Sequence, residues 1–223
     1  MSDLARTTAP EPANPGSRAI AILVITALAI VGFTLRSAPK VADCVAGLKT
    51  AYCDYYWLRS GILWHICGSL AAVSIGLLQL CLGITGRAKL VHRVLGRAYL
   101  IVVALGGTGS LLLLSSLPEP ANEPYRYGLI SATIAWLTTA GLGYRAAKNR
   151  NFAVHRRWMT RSFVIAMLFV IFRSIDRSVR VIDPVWFEVH GDELENVLAW
   201  AAWCFPLLLL EVYHRQSRRA PQR

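Results

Sequence analysis

Six long apolar stretches constrain the fold of this chain more than any other feature. They cover residues 19–35, 61–84, 98–117, 127–146, 158–175 and 197–213. A helix needs about 20 such residues to cross a hydrocarbon core about 30 Å thick, and a lone strand could not satisfy its backbone there. Only 17% of the residues are charged and 55% are hydrophobic, which excludes a disordered chain. The sequence therefore predicts an all-α polytopic membrane helix bundle with six transmembrane helices.

Positive charge is concentrated in alternate loops of this predicted bundle. Sixteen of the 24 Lys and Arg residues lie in residues 1–18, 85–97, 145–161 and 213–223. Because Lys and Arg near helix ends accumulate on the cytoplasmic side, we expect a multi-pass inner (plasma) membrane protein with both termini in the cytoplasm. The net charge of +11 then reflects topology in a lipid bilayer and does not indicate a nucleic-acid partner.

The ends of the chain differ in composition from the helices. Residues 1–17 predict a disordered cytoplasmic tail, residues 18–214 the six-helix domain, and residues 215–223 a basic cytoplasmic tail. The first apolar stretch also resembles a secretory signal, but a retained helix keeps the number of crossings even and agrees with the charge pattern. Cys44 and Cys53 lie in the first outer loop, where they either form a disulfide or remain free thiols.

Two similar segments precede the third and fifth apolar stretches. His92-Arg93 is followed by Arg97, and His155-Arg156 is followed by Arg161, so each segment begins a helix with a His-Arg pair and a second Arg. Each segment also follows a helix that runs from the outside to the inside. This pattern indicates an internal repeat of two helical hairpins related by an axis along the membrane normal.

These segments, HRVLGRAYL and HRRWMTRS, carry a family resemblance. Together with His65 and the closing helix from Trp203 to Glu211, they resemble a bacterial and fungal family of predicted multi-spanning membrane proteins that has only a domain-of-unknown-function label. The resemblance covers about Gly61 to Glu211 and implies the fold but little about activity. The shorter pattern HRxLGR is also similar to a stretch of membrane ferric reductases, in which such a histidine can hold haem.

Four of the five histidines form two sets by depth. His92 and His155 lie near the cytoplasmic face, and His65 and His190 lie near the outer face. A transmembrane electron carrier with two b-type haems needs one histidine pair near each face, because neutral imidazole is a suitable axial ligand. The leading specific hypothesis is therefore a haem b-associated membrane redox protein, with a membrane redox partner. The plainer alternative treats these residues as ordinary interfacial and helix-packing side chains.

Two other functions remain open for the same cytoplasmic cluster. Helix N-termini and Arg side chains are suited to phosphate, so an anionic lipid or a prenyl phosphate is an alternative ligand of the arginines Arg93, Arg97, Arg156, Arg157 and Arg161. Glu211 then acts as a base or neutralises an Arg. Together with His92 and His155, Glu211 also has the composition of a two-histidine, one-carboxylate metal site. A non-catalytic membrane subunit is the third possibility.

A charged network is predicted near the outer end of the fifth helix. Arg173, Asp176, Arg177 and Arg180 follow the spacing of one helix face, and Asp176 is the expected partner of the arginines. Glu211 is predicted to belong to the charged network as well. This network either has a functional role or fastens the helix to its neighbours.

Overall fold

The computed structural model describes residues 31–32, 39, 59–86, 88–115 and 123–219. The long described segments are almost entirely helical. The six helices are α1 (Arg59–Thr85), α2 (Lys89–Ser115), α3 (Glu123–Lys148), α4 (Phe152–Ala166), α5 (Leu168–Ile182) and α6 (Pro184–Arg219). Met167 separates α4 from α5, yet its backbone still bonds to Phe163 and Ile171 on either side. The two therefore form one rod, and the described chain consists of five rods.

The number of membrane crossings differs from the sequence prediction. Among the described residues, four helices are long and apolar enough to span a membrane: Trp64–Thr85, Lys89–Ser115, Phe152–Ile182 and Pro184–Gln216. α3 is not among them because glycine, threonine and tyrosine dilute its apolar residues. The prediction of six transmembrane helices is thus not supported, although the all-α membrane bundle is confirmed.

Several predictions fall on residues outside the described part of the chain. These are the N-terminal tail of residues 1–17, the first apolar stretch of residues 19–35, and the cysteine pair Cys44 and Cys53. They stay predictions.

The first four rods pack as the corners of a bundle. α1 contacts α2 and α4, and α3 contacts the same two helices, so α2 and α4 lie at opposite corners. α6 runs along α3 and the α4–α5 rod. The C-termini of α1, α3 and α6 and the N-termini of α2 and α4 lie at one end of the bundle, which we call the basic end. The C-termini of α2 and α5 and the N-termini of α3 and α6 lie at the other end, which we call the opposite end.

α1 and α2 approach each other closely at Gly68 and Gly106. A Cβ added to Gly68 would lie 2.6 Å from the backbone nitrogen of Gly106 and 2.7 Å from its Cα. Both neighbours are backbone atoms, so no side chain can rotate to make room. Small residues at such positions let membrane helices approach closely, and here they bring α1 against α2.

We predict that Gly68→Ala destabilises the bundle, because the added methyl group must push α1 and α2 apart. Overpacking of this kind costs about 1–3 kcal/mol. The matched control is Gly141→Ala on α3, where an added Cβ has nothing within 4 Å. Thermal unfolding in mild detergent measures both variants. Equal midpoints for the two variants would contradict the close contact.

Candidate functional site

Two histidines lie at the basic end of the bundle. His92 is the fourth residue of α2, and His155 is the fourth residue of α4. Although α2 and α4 occupy opposite corners, both helices begin at this end, so the two histidines lie at the same level of the bundle. The structure therefore places at one end the two histidines that the sequence assigned to one face.

The His155 ring is held in one tautomer. Asn151 caps α4 by accepting a hydrogen bond from the backbone N–H of Val154 at 3.2 Å. The Nδ1 atom of His155 lies 2.8 Å from the carbonyl oxygen of Gly143 on α3. Because a carbonyl oxygen only accepts, Nδ1 carries the proton and Nε2 of the neutral ring keeps a lone pair. Proteins commonly orient metal-binding histidines in this way.

The His92 ring has an unused nitrogen. The backbone carbonyl of His92 accepts a hydrogen bond from Nε2 of Gln79 on α1 at 2.7 Å. Its ring Nδ1 is buried and has no hydrogen-bond partner among the described residues. Gly83 leaves space beside the ring, since a Cβ there would still lie 3.8 Å from Cε1 of His92. Most buried polar atoms in proteins have a partner, so this nitrogen is available to a ligand.

Tyr99 and Ser162 connect α2 and α4 one layer deeper. Their hydroxyl oxygens lie 2.9 Å apart, and both residues are almost completely buried. Tyr99 follows His92 by seven residues, and Ser162 follows His155 by seven. Seven residues are about two helical turns, or about 10 Å along the axis, so each pair shares a helix face. The Tyr99–Ser162 hydrogen bond therefore lies directly below the histidine pair.

Glu211 is paired with an arginine at the basic end. Its Oε1 lies 2.7 Å from Nε of Arg161, whose guanidinium also stacks 4.7 Å above the ring centre of Trp158. In the described part of the chain, no three or more His, Cys, Asp or Glu side chains form a group that could hold a metal ion. The hypothesis of a metal site formed by His92, His155 and Glu211 is therefore wrong, because Glu211 neutralises Arg161 instead.

The remaining arginines of the cluster have a different setting. Arg93, Arg97 and Arg156 are exposed, and Arg157 is half-buried. None of the four has an acidic partner within the helices that the structure describes. Their charges are therefore free to meet anions at the mouth of the histidine site.

The predicted charged network forms at the opposite end, without Glu211. Asp176 is 5% exposed and lies between Arg173 at 3.9 Å and Arg180 at 3.8 Å. The guanidinium of Arg180 also lies 3.8 Å above the ring centre of Phe187 on α6. These contacts connect α5 to α6, while Glu211 lies at the other end of the bundle.

His65 and His190 lie in different surroundings. The Nδ1 atom of His65 is 3.3 Å from the carbonyl oxygen of Gly106, and its ring meets the edge of Phe169 at a centroid distance of 5.0 Å. His190 stacks on Trp186 of its own helix at 4.8 Å. The described residues show no contact between the two histidines, and their use as a second haem pair stays a prediction.

The comparison with known families agrees with this architecture. A family model described as "Predicted membrane protein (DUF2306)" matches residues 62–214. The chain belongs to the DUF2306 family. The matched DUF2306 region contains both histidines of the basic end and reaches from α1 almost to the end of α6. This confirms the resemblance to a domain-of-unknown-function family. No curated protein and no solved structure matches the chain.

Three residues of the site were missed from the sequence. Gln79 carried no recognisable signal, since it is a single amide in an apolar stretch. Tyr99 and Ser162 did carry one, because both follow a His-Arg pair at the same spacing and so share a helix face with its histidine.

We predict that Tyr99→Phe and Ser162→Ala destabilise the bundle through the loss of the same hydrogen bond. Each single change is expected to lower the free energy of unfolding by about 1 kcal/mol. The double variant should lose less than the sum of the two single changes, because the second change removes a group that already lacks its partner. Unfolding in detergent measures all three variants. Fully additive losses would contradict a direct hydrogen bond between α2 and α4.

Proposed function

We propose that this membrane protein binds one haem b between His92 and His155 and transfers electrons. The observation that carries the proposal is that His92 and His155 lie at the same depth, each two turns above one member of the Tyr99–Ser162 hydrogen bond that joins α2 to α4. The hydrogen bond to Gly143 leaves a free lone pair on His155, and His92 has a buried nitrogen without a partner. Both features suit axial ligation of iron by neutral imidazole.

The number of ligands also favours haem over a bare metal ion. A metal held by protein alone generally needs three or four ligands. Such a group is absent from the described residues. A porphyrin supplies four ligands itself, so two histidines complete the coordination of its iron.

The residues around the pair have defined roles in this proposal. Gly143 holds the His155 ring in its binding tautomer, and the Tyr99–Ser162 hydrogen bond limits the site on the deeper side. Arg93 and Arg156 directly follow the two histidines, which suits them to pair with carboxylates at the mouth of the site. When bound, haem supplies one-electron chemistry.

The proposal also concerns location and partners. We assign the basic end to the cytoplasmic face of the inner membrane, because Lys and Arg accumulate there. Electron transfer also requires a donor and an acceptor, so we expect a membrane redox partner or a second subunit.

We predict that the purified protein has a Soret absorption band that shifts and sharpens on reduction with dithionite. His92→Ala and His155→Ala should each abolish this spectrum without preventing membrane insertion, because each change removes one axial ligand. The matched control is His214→Ala, which removes a histidine of the basic end that lies on α6. The cells that produce the protein are supplied with a haem precursor, so that the amount of haem does not limit the fraction of protein that carries it.

Two results would contradict haem binding at this site. One is a flat spectrum of the folded protein from cells with ample haem precursor. The other is an unchanged spectrum in both the His92 and the His155 variants, which would place the haem elsewhere.

A second function is favoured by the exposed arginines of the basic end. Arg93 and Arg97 lie in the first turns of α2, and Arg156 lies in the first turn or two of α4, where helix dipoles favour anions. These residues suit the phosphate of an anionic lipid or a prenyl phosphate. A flat spectrum, combined with co-purified phospholipid that Arg97→Gln removes, would favour this function over haem. A stoichiometric second chain without either ligand would instead indicate a non-catalytic subunit.

A further inference from the structure

A small, partly open cavity with a mixed apolar and polar lining lies between the helices, away from the histidine pair of the basic end. Its volume is about 30 Å³, and it lies where α1, α2, α3 and the α4–α5 rod meet. The polar part of its lining consists of His65, Ser69, Ser110, Thr133 and Trp136. No Asp, Glu, Lys or Arg of the described chain lines it.

The size of the cavity limits what it can hold. A bound water molecule needs about 10–15 Å³ of such space and about two to four polar partners, whereas a cavity for an aromatic ring is on the order of 150 Å³. The cavity therefore accommodates one or two water molecules and excludes a ring.

The hydrogen bonds of Thr133 and Ser110 determine what these side chains offer. The hydroxyl of Thr133 lies 2.8 Å from the carbonyl oxygen of Leu129 and must donate its proton there. Ser110 Oγ lies 3.0 Å from Thr133 Oγ1, so Ser110 must be the donor in that second bond. Ser110 has then used its proton and presents only lone pairs to the cavity.

His65 presents an acceptor as well. Its Nδ1 lies 3.3 Å from the carbonyl oxygen of Gly106, which can only accept, so Nδ1 carries the proton and Nε2 keeps a lone pair. The cavity therefore has at least two acceptors, His65 Nε2 and Ser110 Oγ. A water molecule provides two donors and fits the volume.

Other polar groups lie between the cavity and the histidine pair of the basic end. Trp136 lines the cavity and packs in the same core cluster as Tyr99, and its Nε1 has no hydrogen-bond partner among the described residues. Tyr99 in turn bonds to Ser162. Polar groups thus extend from the cavity to the layer below His92 and His155.

We propose that this cavity holds a bound water molecule that is hydrogen-bonded to His65 inside the bundle. The water donates hydrogen bonds to His65 Nε2 and Ser110 Oγ. This site does not require haem at His92 and His155.

Solid-state NMR of the ¹⁵N-histidine-labelled protein in phosphatidylcholine–phosphatidylglycerol bilayers tests the proposal. His65→Gln identifies the His65 signals by their loss. We expect an unprotonated Nε2 on His65 that receives magnetisation from water despite its position inside the bundle. Because the water site is independent of haem, the same transfer should persist in the His92→Ala protein.

A cavity-filling variant sharpens the test. Ala132→Leu adds side-chain volume at the cavity wall and should abolish the transfer from water to His65. Ala104→Leu makes the same change at an exposed position of α2 and should leave it intact. Should Ala132→Leu not fold, the wild-type spectrum decides by itself. A wild-type His65 without water contact, or one whose signals are shifted by a bound iron, would overturn the proposal.

Discussion

The hydrogen bond between Tyr99 and Ser162 is the contact on which the interior of this bundle depends. Polar groups inside a membrane must find partners within the protein, because lipid offers none. These two hydroxyls satisfy each other across the bundle and join helices that lie at opposite corners. They thereby bring the same faces of α2 and α4 together, two turns below His92 and His155.

The histidine site follows from that alignment. Each histidine shares a helix face with one member of the hydroxyl pair, so joining Tyr99 to Ser162 directs His92 and His155 into one region. α3 then orients the His155 ring through the carbonyl of Gly143. Charge is kept out of this interior: Arg161 is neutralised by Glu211, and the exposed arginines remain at the rim.

The sequence predicted correctly the features that depend on a single helix, and it did not predict the contacts between distant helices. The lengths of the apolar stretches predicted the helices, and the His-Arg pairs were correctly predicted to lie at the starts of α2 and α4. Six crossings are not supported within the described residues, because α3 is diluted by small and polar residues and the first apolar stretch lies outside them. The partner of Glu211 was left open because its arginine is 50 residues away in the chain. The Gly106 carbonyl that holds His65, 41 residues away, was equally invisible.

Electron paramagnetic resonance of the oxidised, purified protein tests the central claim most directly. Haem held by both His92 and His155, as proposed, should give a low-spin ferric signal with bis-histidine character. A high-spin signal would show that at least one of the two histidines does not reach the iron. The complete absence of a haem signal from folded, haem-supplied protein would contradict the account of the site.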